Sequence, residues 1–153
     1  MDSNMVTMMA LVVILVSGCV SQPAGQTKAY SPSLNPAEVV ELYFASWDSK
    51  DYEMMYATIS DGFKRIEPTA QTPEAFSAQM AKFYESAKSV QLVSDTETIN
   101  DGATASIDYT IEIEKTDGMK TPFSGTYTLK YRSTDASPGW KLIHPYGKNV
   151  DIS

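Results

Sequence analysis

The chain has 153 residues, 42% of them hydrophobic, and its 19 acidic against 12 basic side chains give a formal net charge of −7 at pH 7. Binding to a phosphate backbone needs a cationic face, and no long block of either sign occurs, which argues against nucleic acid as a partner; an anionic membrane surface would likewise repel the globular part. A single cysteine permits no intramolecular disulfide, so the folded part must stand on its core, and a chain of this size can bury about 68% of its unfolded surface in one domain.

Met5 to Val16 is an apolar run of 12 residues. At 1.5 Å per residue it suits a signal-peptide core and falls short of a ~30 Å hydrocarbon layer. Ser17 and Gly18 then place small side chains directly before Cys19. The segment Leu15-Val16-Ser17-Gly18-Cys19 resembles the lipobox of prokaryotic lipoproteins. That resemblance implies a signal peptide over residues 1–18, a thioether-linked diacylglyceryl group on Cys19, and a mature chain held at the cell membrane outside the cytoplasm. In one respect the segment departs from the pattern: Met1 to Asn4 carries Asp2 and no Lys or Arg, where such regions are usually basic.

Residues 19–34 read as the lipidated cysteine and a flexible tether. Val20 to Leu34 is rich in Ser, Pro, Gly, Gln and Ala and has no apolar period, so it cannot bury enough surface to order itself. Fifteen such residues span about 20 Å, from ~5 Å times the square root of length. Docking of Tyr30 and Leu34 on the domain would affect only its last few residues.

The domain is expected over 35–153. Asn35, Pro36 and Glu38 form a helix-start signature, and Val40, Tyr43, Phe44 and Trp47 follow as one apolar stripe of a helix running to about Ser49. Asp51 caps a second, shorter helix with Tyr52, Met55, Tyr56 and Ile59 on one side, and Gly62 stands where a left-handed terminator is wanted. Thr72-Pro73 repeats the start signal for a third helix, with Phe76, Met80, Phe83 and Ala87 as its buried side.

After Ser89 the period changes to two. Ser89 to Ile99, Thr104 to Lys115, Thr121 to Arg132 and Trp140 to Ile152 read as strands separated by Asn100-Asp101-Gly102, Asp117-Gly118 and the Ser133 to Gly139 loop. Ile107, Tyr109, Ile111 and Ile113 alternate with polar residues, and so do Phe123, Tyr127, Leu129 and Tyr131, which marks an antiparallel sheet with one covered and one wet face. In the fourth strand Trp140, Leu142, His144 and Tyr146 share a face, which turns the only histidine toward the helices. The expectation is an α+β fold, three N-terminal helices packed in a curved four-stranded antiparallel sheet that forms a cone-shaped half barrel.

From Pro36 to Ile152 the aromatic stripe, the short helix Tyr52 to Ser60, the strand pair joined at Asn100-Asp101-Gly102 and the closing Gly139-Trp140-Lys141-Leu142 resemble the nuclear transport factor 2-like superfamily, also called ketosteroid isomerase-like or cystatin-like. A plain cystatin-like domain with a single helix is the alternative, against which three capped helices speak. The resemblance implies a cone open at one end, where members bind small apolar molecules or partner proteins. It points to Tyr43, Trp47, Tyr56, Tyr109, Tyr127 and His144 as candidate pocket residues, although each has a packing role open to it as well.

No catalytic set is identified, because Asp108, Glu112 and Glu114 fall on the wet face and a general base must lie within about 3 Å of its proton. One His and no clustered carboxylates leave no metal site, and the glycines mark turns and form no phosphate loop, so no cofactor is expected. The expected function is a non-enzymatic binding or scaffold domain for a small apolar ligand or a protein partner. Two alternatives stay open: an isomerase or dehydratase of the ketosteroid isomerase-like type using His144 and a tyrosine, and an assembly module whose homodimer pairs sheet faces through residues such as Thr126, Thr128 and Lys130.

Overall fold

The computed structural model describes residues 29–146; the expectations for the signal peptide, Cys19, the tether over 20–28 and residues 147–153 lie outside the described residues. Four α-helices, α1 (Pro36–Asp48), α2 (Tyr52–Ala57), α3 (Asp61–Ile66) and α4 (Pro73–Phe83), precede four strands, β1 (Ala87–Asn100), β2 (Thr104–Lys115), β3 (Lys120–Arg132) and β4 (Gly139–Leu142). The strands form one antiparallel sheet in the order β1-β2-β3-β4. Breaks in register between Ala87 and Ser89, Leu92 and Ser94, and Glu97 and Ile99 bend β1, and the sheet curls around the helices as an α+β half cone.

Local signals set most of these boundaries. The Asn35 side chain accepts from the Glu38 amide at 2.9 Å while Glu38 accepts from the Asn35 amide at 2.9 Å, a capping box that satisfies two otherwise orphan donors of α1. Asp51 caps α2 through the Met54 amide at 3.0 Å, and Thr72 caps α4 through the Ala75 amide at 3.2 Å. The apolar stripe of α1 lies on the sheet, with Val40, Tyr43 and Phe44 buried.

Three expectations are corrected. Gly62 does not terminate a helix: α2 stops at Ala57, and Ser60 opens α3 by accepting from the Phe63 amide at 3.1 Å, which leaves Gly62 buried in the first turn. Asp61 at its start and Lys64 and Arg65 at its end complement the helix dipole, and with this added helix four α-helices stand among the described residues where three were expected. Phe83 is 56% exposed, because α4 gives way to a tight turn over Tyr84–Ser86 and Tyr84 takes the buried place; Ala87 already belongs to β1.

The third correction concerns β4, whose ladder to β3 ends at Leu142. Its far edge is not open, since the Leu142 amide donates to Thr58 O at 2.9 Å and the Ser60 amide donates to Leu142 O at 3.0 Å. All four of its residues are buried, so the strand has no wet face. Residues before Asn35 also pack on the domain. Tyr30 donates from its hydroxyl to Pro138 O at 3.1 Å and Trp140 O at 3.2 Å, and Leu34 is buried, so residues 30–34 form a strap across the β3–β4 end of the sheet.

Candidate functional site

Between the covered face of the sheet and the helices lies a cleft of about 360 Å³. Alternation on β2 turns Tyr109, Ile111 and Ile113 into it, and alternation on β3 adds Phe123 and Tyr127. Helical spacing brings Tyr43 and Trp47 from α1, Met80 and Phe83 from α4, and the turn after β4 supplies Pro145 and Tyr146. Phe83 and Phe123 are more than half exposed, at 56% and 53%, and form an apolar rim.

The aromatic rings at the cleft's base are packed into each other. Tyr109 stacks on Tyr127 with centroids 4.5 Å apart and planes at 25°, and Phe44 backs both at 4.9 Å and 5.7 Å. Tyr43 meets Tyr127 edge-on at 5.7 Å. Gly125, the cross-strand partner of Tyr109, makes this stack possible: a Cβ there would lie 2.8 Å from the Tyr109 hydroxyl and 3.0 Å from Cζ.

Electrostatically the cleft is neutral. Burial pushes the Tyr43 and Tyr127 phenols well above their usual range, so both stay protonated and offer O–H groups without charge. Burial likewise raises Tyr109, an effect partly offset by its hydrogen bond with Tyr127. Among the described residues, none that lines it is Asp, Glu, His, Lys or Arg. The buried Trp47 Nε1 has no hydrogen-bond partner among the described residues.

Of the six pocket residues expected from sequence, Tyr43, Trp47, Tyr109 and Tyr127 are brought together on this cleft. Tyr56 is not: its hydroxyl donates to Ala70 O at 3.0 Å, and its ring carries Lys64 Nζ at 4.3 Å in a separate polar depression with Asp61, Arg65 and Gln71. His144 is half-buried in the turn after β4 and does not line the cleft. Among the described residues no three His, Cys, Asp or Glu side chains group as a metal site, and no helix is long and apolar enough to cross a membrane.

Two residues escaped the sequence reading. Gly125 carried a signal, since a glycine inside an alternating strand marks a close approach, and hairpin register puts it opposite Tyr109. Lys141 carried none. It is 1% exposed, donates from Nζ to Ala57 O, and lies with Nζ 3.5 Å from the centre of the Tyr30 ring. Burial, aided by nearby Lys64, lowers it to about 8 against the opposing pull of Asp135 and Asp61. The two aspartates tie the neighbouring loop down: Asp135 accepts from the Asp61 amide at 2.9 Å and Asp61 from the Ala136 amide at 2.7 Å.

No protein-family model and no curated protein matches the chain. Among solved structures, a SEC-C motif-containing protein from Psychrobacter arcticus is similar with a TM-score of 0.52 at 10% identity, over 80% of this chain and 65% of that one. A SEC-C motif-containing protein from Rhodopseudomonas palustris is similar with a TM-score of 0.51 at 10% identity, over 74% of this chain and 78% of that one. A member of the nuclear transport factor 2-like family from Streptomyces avermitilis has a TM-score of 0.44 at 15% identity, over 69% of this chain and 90% of that one. At these identities the likeness is one of fold.

Proposed function

We propose that this chain is a lipid-anchored protein outside the cytoplasm, whose domain of nuclear transport factor 2-like type holds a small uncharged apolar molecule in the aromatic cleft and does no chemistry on it. The observation that carries the binding half is the wall chemistry: about 360 Å³ bounded by aromatic and aliphatic side chains with protonated tyrosines and, among the described residues, no charged group. A charged ligand would lose its hydration there without meeting a counter-charge. An isomerase or dehydratase would need a base within about 3 Å of the substrate proton, and among the described residues neither a carboxylate nor His144 stands on the wall.

The neutral fluorophore phenylnaphthylamine tests the cleft. Saturable binding to the wild-type chain, abolished by Ile111→Trp, is the expected result, because the indole would occupy the space between β2 and α1. No binding, or binding unaffected by the substitution, would overturn it. The anchor half rests on Leu15-Val16-Ser17-Gly18-Cys19. Two acyl chains at ~0.8 kcal/mol per buried methylene hold a protein stably where one does so only marginally. Cys19→Ser is therefore expected to release the protein from salt-washed membranes, and its retention there would sink the assignment.

A further inference from the structure

The strap and the rim of the cleft lie toward opposite ends of the sheet. Tyr30 reaches the sheet where β3 turns into β4, donating to Pro138 O and Trp140 O, and Gly139 has no side chain in the way. The β1–β2 hairpin is at the same pole, since the Tyr131 amide donates to Ala103 O at 2.8 Å. The cleft instead sits by the β2–β3 hairpin, between Ile113 and Phe123, and beside Phe83 at the end of α4. Along β3, the steps from Phe123 to Arg132, which pairs with Gly139, amount to about 30 Å at ~3.3 Å each, somewhat less where the sheet curls.

We propose that the cleft opens on the side of the domain turned away from the bilayer and takes its apolar molecule from the aqueous compartment, an inference that rests on the lipid-anchored reading above. Residues 20–29 separate Cys19 from Tyr30. Ten residues reach at most about 35 Å even at full extension. With the strap fixed at one pole, that length keeps the strap pole near the lipid. Bringing the cleft to the bilayer would require those residues to run almost taut along the whole domain. The opposing force is the apolar rim of Phe83, Met119 and Phe123, each more than half exposed, which would gain from insertion. Linker length resists that gain, and the net charge of −7 adds repulsion from anionic lipid.

The two tryptophans mark the two poles: Trp47 lines the cleft, and Trp140 lies at the strap, its backbone carbonyl accepting from Tyr30. The lipidated full chain, reconstituted in vesicles containing dansyl-labelled lipid, is compared as Trp47→Phe, which leaves Trp140, and Trp140→Phe, which leaves Trp47. Strong energy transfer to the lipid in Trp47→Phe and weak transfer in Trp140→Phe is the expected result. Equal or reversed transfer would overturn the orientation while leaving the anchor intact; a chain that fails to float with the vesicles would overturn the anchor and the orientation with it. If either tryptophan variant fails to fold, Asp117→Cys and Ser133→Cys, exposed positions beside the two poles, carry a fluorophore whose quenching by nitroxide lipids reads the same order. Quenching stronger at 133 supports the orientation, and quenching equal or stronger at 117 refutes it.

Discussion

Gly125 and Tyr109 share one rung of the β2–β3 ladder, and the missing side chain of one sets the position of the other. The Tyr109 hydroxyl is the far end of a side chain and could in principle swing aside, but its ring is held between Tyr127 at 4.5 Å and Phe44 at 4.9 Å. Gly125→Val therefore forces the stack apart. It is expected to cost about 1–3 kcal/mol, the usual range for overpacking a tight core, and to weaken phenylnaphthylamine binding, both readable in one set of denaturant and fluorescence titrations. A variant of unchanged stability with intact binding would show that the stack is not held by that rung. Trp47 is the contrasting case. Its Nε1 is buried with no hydrogen-bond partner among the described residues, so Trp47→Phe removes a donor unmet there along with some packing, and the variant is expected to stay folded.

Among the elements, α1 is the one whose start is most completely specified. The reciprocal bonds of Asn35 and Glu38 satisfy amides that the helix itself cannot, and Asn35→Ala should lower stability by about 1 kcal/mol in thermal unfolding. No change would mean that packing of Val39, Val40 and Phe44 alone fixes the first turns. The strap offers a second test at this scale. Gly139 has φ +128°, and a Cβ there would lie 2.5 Å from the Tyr30 hydroxyl and 3.0 Å from Pro32 Cα. Because one of those neighbours is backbone, Gly139→Ala is expected to dislodge residues 30–34 and expose them to limited proteolysis, whereas Gly102→Ala, with φ +87° but open space around it, would leave the strap protected.

For the whole molecule, the buried ionisable groups define a stability profile. Lys141 has a folded pKa of about 8, below its ordinary 10.5, so between those values the unfolded chain binds more protons and stability rises with pH. Tyr43, Tyr84 and Tyr127 are raised above 10, chiefly by burial, so the unfolded chain loses their protons first and stability falls once pH exceeds 10. Asp61 lies below its ordinary value: burial pushes it up, but the Ala136 amide, Lys64 and Lys141 together pull it down, and the stability it contributes is lost as pH falls below about 4. Denaturant midpoints measured from pH 3 to pH 11 should therefore climb from pH 8 toward pH 10 and then drop. In Lys141→Met the climb should vanish while the drop remains; persistence of the climb would assign it to another group.

The sequence by itself determined the class of the fold, the four-stranded antiparallel sheet and the starts of α1, α2 and α4, because capping bonds, turn residues and alternation act within a few residues of one another. Helical and strand periods also put Tyr43, Trp47, Tyr109 and Tyr127 on covered faces, and the structure brings these four together along the cleft. Only the tertiary structure decided which covered positions border empty space and which are sealed. Tyr56 and His144 obey the same local periods as Tyr43 and Tyr127, yet the first is drawn off to Ala70 O and the second falls in the turn after β4. Lys141 shows the reason most directly. Alternation places it on the outer side of β4, and nothing nearby in sequence announces that Tyr30, 111 positions earlier, and Ala57, 84 positions earlier, close over that side. Local periodicity fixes the direction in which a side chain points, whereas the contacts that cover it, or leave a cleft beside it, join segments far apart along the chain.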